Sequence, residues 1–183
     1  MSTKVKATIE DLYNVPDNGK AEIVDGELIL MSPTGDLPGT AAGEIFVSLR
    51  EQSRRTGYGR AYVDNVGFVV NLPNRKSFSP DAALYIGPRS GGKFLDGAPI
   101  FAVEVRSESD YGPKAEAAMA RKRRDYFAAG TLVVWDVDVL RDAEVRVYRS
   151  TDHDHPTVYH RGEIAEAEPA VPGWTMAVDD LFL

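Results

Sequence analysis

Residues 100–137 read IFAVEVRSESDYGPKAEAAMARKRRDYFAAGTLVVWDV, and this stretch decides the fold. Ile100 to Arg106 is an apolar run interrupted by one carboxylate, and it suits a central strand covered on both faces. Pro113 stands near the start, and Gly130 just past the end, of a run with helical periodicity, which predicts a helix over 113–129. Leu132 to Val137 is a second buried-looking strand. A strand, a helix and a strand in this order predict a parallel pair joined by a right-handed crossover.

Antiparallel signals lie on both sides of this unit. Ala21 to Val24 and Glu27 to Leu30 flank Asp25-Gly26, the residue pair that favours a type I′ hairpin turn. Before them, Thr8 to Tyr13 predicts a short helix capped by Thr8, with Asp11 completing a capping box. Met31 to Gly39 reads as a loop, and Thr40 to Arg55 as a helix whose stripe is Ala41, Ala42, Ile45, Phe46 and Leu49. Tyr58 to Val63 and Val66 to Leu72 read as strands, Asn71 to Ser79 as a polar turn, Asp81 to Ile86 as a strand and Gly87 to Pro99 as a loop. Beyond the unit, Glu144 to Arg149 alternates, and Thr157 to His160 would close a hairpin with it. The apolar tail from Val171 to Leu183 is expected to dock on the body. The fold class is α/β (α+β): a mixed sheet flanked by helices, with additional N-terminal and C-terminal hairpins, in a single domain over 1–183.

The 183 residues fit one domain with its own core. Absence of cysteine excludes disulfides, thiolate metal sites and a cysteine nucleophile. No signal peptide is visible and no apolar run approaches the ~20 residues that cross a membrane, so a cytoplasmic protein without membrane contact is expected. A net charge of −7 argues against a broad, non-specific nucleic-acid binder. It is compatible with a site whose clustered carboxylates hold a metal, which restores positive charge locally. Gly87-Pro-Arg-Ser-Gly-Gly92 lacks the Gly-Lys-Ser/Thr element of a phosphate loop, and neither a dinucleotide fingerprint nor a nucleophile elbow exists.

The chemistry concentrates in three places. Asp81 follows Pro80 at the start of a strand. Glu104 interrupts the apolar strand, where a carboxylate is costly unless it is paired, with Arg106 or Lys122 for instance, or binds a metal. Arg106, two residues on, points to the same face. On the helix, Ala115, Ala118, Met119, Lys122, Tyr126 and Ala129 share one stripe, which turns Lys122 inward and leaves Arg121, Arg123 and Arg124 elsewhere. His153, Asp154, His155 and His160 have the residue types of metal ligands, but they fall in an expected hairpin loop without an organising spacing.

Pro80-Asp81, followed at some distance by Glu104-x-Arg106, resembles the motif of the PD-(D/E)XK nuclease superfamily. The wider chain is similar to one branch of it, the Uma-type restriction-endonuclease-like family. The matching stretches are Glu22-Ile-Val-Asp-Gly-Glu-Leu28, Met31-Ser-Pro33, Ser79-Pro-Asp81, Val103-Glu-Val-Arg-Ser-Glu-Ser-Asp110, Lys122-Arg-Arg-Asp-Tyr-Phe-Ala-Ala-Gly130, Val133-Val-Trp-Asp-Val137 and Val171-Pro-Gly-Trp174, in order along the chain. The resemblance implies a four-stranded mixed core sheet and a Mg²⁺ or Mn²⁺ site. In it Asp81 and Glu104 would be ligands, Glu22 or Glu27 would supply a further acid, and Lys122 would replace the lysine of the motif, whose old place Arg106 takes. The implied activity is metal-dependent hydrolysis of DNA phosphodiester bonds, with a homodimer as one way to reach both strands. The alternative is a non-catalytic nucleic-acid-binding or assembly module that keeps the nuclease fold. One departure stands out: the loop Asp36-Leu-Pro-Gly39 lacks the histidine that the family often carries there.

Overall fold

The computed structural model describes residues 6–15 and 19–183. Helix α1 (Ile9–Tyr13) has the expected capping box, with Thr8 and Asp11 satisfying each other's backbone N–H. Strands β1 (Ala21–Val24) and β2 (Glu27–Leu30) pair antiparallel. Asp25 and Gly26 turn between them with φ of 52° and 79°, the left-handed values a type I′ turn demands. Helix α2 (Asp36–Thr56) begins at Asp36, not at Thr40. Pro38 sits in its first turn, where a missing N–H costs nothing, and Asp36 suits the positive end of the helix dipole. Gly57, at φ 72°, closes the helix.

Strands β3 (Arg60–Val63), β4 (Phe68–Val69), β5 (Ser77–Phe78), β6 (Ala82–Tyr85), β7 (Leu95–Asp96) and β8 (Phe101–Val105) lead to helix α3 (Pro113–Ala128). After it come β9 (Val133–Asp138), β10 (Glu144–Arg149), β11 (Asp152–His160), β12 (Ile164–Glu166), β13 (Thr175–Ala177) and a 3₁₀ turn, Val178–Phe182. The main sheet has six strands in the order β11-β10-β9-β8-β6-β3, rather than the four of the expected core. Its β8–β9 pair is parallel, as the strand–helix–strand reading requires, and its other pairs are antiparallel. The segment after β3 leaves this sheet. There β4 pairs with β5, inside the expected polar turn, and with β7, inside the expected loop. Strand β11 starts at Asp152, so His153 and His155 lie in a strand and not in a hairpin loop.

Alternation along the central strands makes two cores. Phe101, Val103 and Val105 of β8 and Val133, Trp135 and Val137 of β9 face Ile45 and Leu49 of α2 and Trp174, Val178 and Leu181 of the tail. Ala102 and Val134 face the other way, towards Tyr126 and Phe127 of α3 and Phe68 and Phe78 of the small sheet. Glu104 and Asp136 share that second face by the same period of two. The α2 face is therefore closed by hydrocarbon, and the α3 face carries the charges.

Candidate active site

Three elements meet over the α3 face. On β1, Ala21 and Ile23 are buried against Leu12 and Val15, which turns Glu22 the opposite way, towards α3. Asp81 stands at the entry to β6, where its N–H donates to the Val103 carbonyl at 3.0 Å. Its Oδ2 accepts the Val105 N–H at 2.8 Å, which fixes the carboxylate against the adjacent strand. Glu104 projects from β8 beneath α3, and Lys122 reaches down from the helix.

Lys122 bridges two acids, with Nζ 2.8 Å from Glu104 Oε2 and 2.9 Å from Glu22 Oε1. Tyr126, one turn further along α3, donates its hydroxyl to Glu104 Oε1 at 2.6 Å. Lys20 Nζ lies 2.8 Å from Asp81 Oδ1 and 2.6 Å from Asp64. Behind Glu22, Arg75 donates to its Oε2 at 2.5 Å and to Asp125 at 2.8 Å, and the Ser79 N–H donates to its Oε1 at 2.8 Å. All of these groups but Asp64, Ser79 and Asp125 line one cleft of about 620 Å³.

The electrostatics follow from burial and from these partners. Burial pushes the Glu104 carboxyl up, Lys122 opposes it, and the nearby Asp81 and Glu22 push it further, so that it titrates at about 7. Burial also works against ionised Glu22, but Lys122, Arg75 and the Ser79 N–H outweigh it and hold this carboxyl below its ordinary value. For Lys122, burial favours the neutral amine, yet Glu104 and Glu22 together hold its pKa above the usual lysine value. Lys122 is thus a fixed cation near neutral pH and not a proton acceptor. Tyr126 is driven up by burial and by Glu104 and Glu22, so it stays a hydrogen-bond donor.

Asp81, Glu104 and Lys122 converge as the sequence led us to expect, and Glu22 joins them. Glu27 does not: it is exposed at the turn end of β2 and does not line the cleft. Arg106 reaches the cleft wall, but its guanidinium is committed elsewhere. It holds Asp136 with two hydrogen bonds, at 2.7 and 2.8 Å, and also pairs with Glu116. The histidines stay apart: His155 pairs with Asp152 at 3.0 Å, His160 lies 3.5 Å from Glu144, and His153 stacks on Phe127. Three site residues escaped the sequence reading. Tyr126 lay on the inward stripe and could have been found there. Lys20, two residues before Glu22, shares its face by strand alternation. Arg75 sits in a polar turn, where no pattern marks it.

The donor set fits a hard divalent cation in kind. Asp81 lies close enough to Glu104 to help push its carboxyl up, and a cation between them would relieve that repulsion. Among the described residues no three His, Asp or Glu side chains form a group able to hold an ion unaided. One or two carboxylates completed by water and substrate are, however, the ordinary protein share of a Mg²⁺ site.

The family model described as "Uma2: Putative restriction endonuclease" matches residues 7–179. A solved structure described as "a putative nuclease belonging to DUF820 from Anabaena variabilis ATCC 29413" superposes with a TM-score of 0.76. It is 16% identical, over 96% of this chain and 97% of that one, so this likeness concerns the fold. No curated protein matches the chain. A family match over nearly its whole length, on a fold shared with a nuclease-like structure, means that the chain belongs to the Uma2 family.

Proposed function

We propose that the chain is a metal-dependent endonuclease that hydrolyses DNA phosphodiester bonds. The observation that carries this reading is the convergence of Asp81 and Glu104, from separate strands, beside a lysine held cationic between two acids. Asp81 and Glu104 would hold Mg²⁺ or Mn²⁺, which when bound supplies an acidified water and screens phosphate charge. The chain's own groups do the rest. The Val105 N–H and Lys20 orient Asp81, and Tyr126 orients Glu104. Glu22 holds Lys122 at the cleft, where its fixed charge opposes the negative charge that develops on the phosphoryl oxygens.

A second reading has its own support. All four carboxylate oxygens of Asp81 and Glu104 already accept a hydrogen bond, from Lys20, Val105, Tyr126 and Lys122. A non-catalytic module could be stable in that state without metal. Titration with Mn²⁺ by calorimetry, with cleavage of plasmid and of oligonucleotides run alongside, separates the two. The nuclease binds Mn²⁺ and cuts, and Asp81→Ala abolishes both. Equal cleavage by wild type and Asp81→Ala rejects the site, and absence of any Mn²⁺ binding favours the non-catalytic module.

A further inference from the structure

Glu22 and Lys20 do not have their face of the hairpin to themselves. Glu22 is paired directly with Ile29 across the β1–β2 ladder. The Met31 N–H donates to the Lys20 carbonyl at 2.9 Å, which extends the same ladder by one more pair. Directly opposed residues share a face, with Cβ atoms about 5 Å apart. Ile29 and Met31 therefore stand beside the acid and the lysine, and both line the cleft. Ile29 remains 46% exposed there, while Ala21, Ile23 and Leu28 on the opposite face of the hairpin pack with Leu12 of α1.

The cations of the cleft narrow what it can take. Lys20, Arg75, Arg106, Arg121, Lys122 and Arg123 all line it, and each already has a carboxylate partner within the chain. The whole chain carries −7. Apart from Lys122 at the one reacting phosphate, little of this positive charge is left to neutralise a phosphate backbone, so the counterion-release contribution to binding is small. A duplex, whose two strands together place one charge per ~1.7 Å of axis, suffers most from that shortage. Affinity must then come from base faces, which a paired and stacked duplex conceals and a single strand offers. The cleft volume, about 620 Å³, lies in the range of sites that take a small-molecule-sized guest.

We infer that Ile29 and Met31 form an apolar shelf for an unstacked nucleobase next to the scissile phosphate, and that the substrate is single-stranded DNA. This rests on the nuclease reading above. The test uses fluorescence anisotropy of the full chain with one labelled oligonucleotide, alone and annealed to its complement, in EDTA over a salt series. Cleavage of both forms in Mn²⁺ is followed in parallel. The single strand is expected to bind about tenfold tighter than the duplex. The slope of log K against log salt is expected to stay below about 2 in magnitude. Replacing Ile29 and Met31 together by serine weakens single-strand binding about fivefold with the slope unchanged, and Ile29→Tyr, which enlarges the stacking face, tightens it by a similar factor. The gain in Ile29→Tyr guards against a trivial folding defect in the double variant. Duplex binding as tight as single-strand binding, a steep slope, or tyrosine and serine variants that bind like wild type overturn the shelf. Duplex cleavage undiminished in the serine variant overturns the shelf and leaves the nuclease standing. Shelf-dependent binding of the single strand without cleavage of either form overturns the nuclease and leaves the shelf. Failure to bind or cut either form overturns both.

Discussion

Glu104 and Glu22 share one lysine but are pulled in opposite directions, and this gives the protein a recognisable pH signature. Glu22 is depressed, so its contribution to stability is present above the ordinary carboxylate value and is lost as pH falls through its lower folded value. Glu104 is raised to about 7 from 4.5. Between those values the folded chain holds a proton that the unfolded chain has released, so the Glu104 contribution declines as pH rises through this window and is flat above it. The loss is at most on the order of 3 kcal/mol. Urea denaturation of the metal-free protein from pH 5 to 8 should show this decline, and Glu104→Gln should flatten it; an identical slope in the variant would show that Glu104 is not the group responsible. The asymmetry also explains what could be read without coordinates. Asp81, Glu104 and Lys122 were legible because each breaks a local rule: an acid at a strand entry, an acid within an apolar strand, a cation on an inward stripe. Glu22 was weakly legible, since an acid beside a hairpin turn is usually a solvated one. Arg75 was illegible, because the turn that carries it is held to β1 by tertiary bonds such as Lys76 N–H to the Ile23 carbonyl at 3.0 Å.

At the scale of elements, the question is what holds α3 so that Lys122 meets the acids. Much of the helix surface is exposed, and its buried residues, Asp125, Tyr126 and Phe127, lie near the C-terminal end. Its first turn is tied down by Arg106, which leaves β8 and reaches Asp136 on β9 and Glu116 on α3 at once. The two ties differ in weight. Asp136 is 1% exposed, and removing its main partner leaves a buried charge, so Arg106→Ala should cost about 3–5 kcal/mol in urea unfolding. The Glu116 side chain is 48% exposed, and Glu116→Ala should cost less than about 1 kcal/mol. Equal losses in the two variants would mean that Arg106 acts through the helix and not through Asp136. Element existence was legible wherever periodicity and caps agreed, as for α3, β8 and β9. It failed where an element depends on distant partners. Strands β5 and β7 are two-residue pieces that exist only because β4 lies between them. Strand β11 is rich in Asp and His, poor strand formers, and is held by its register with β10; Pro156 lies within this edge strand, where a missing N–H is tolerated.

Across the whole molecule the sheet separates the hydrocarbon core from the proposed site. On its α2 face, Trp174 is 3% exposed, with its ring 4.9 Å from Trp135 and 5.6 Å from Phe101, and its Nε1 donates to Ser48 Oγ at 2.9 Å. The docking of this tail on the body was legible, because an apolar segment is driven out of water. The site on the α3 face reaches the α2 face only through backbone shared by alternating residues, such as Val103 and Glu104. Mutational effects at well-separated sites without shared partners add, so damage to one face should not appear at the other. Trp174→Ala is therefore expected to lower unfolding free energy by about 3–5 kcal/mol, which a domain of this size can lose and remain folded at room temperature. On the proposed metal-binding reading, its Mn²⁺ dissociation constant, measured by calorimetry, should stay within about twofold of wild type. Trp174→Phe, which keeps most of the ring, provides the milder check. If metal affinity falls in step with stability across both variants, the two faces are coupled, and the placement of Glu104 depends on packing beneath the sheet as well as on the ion pairs above it.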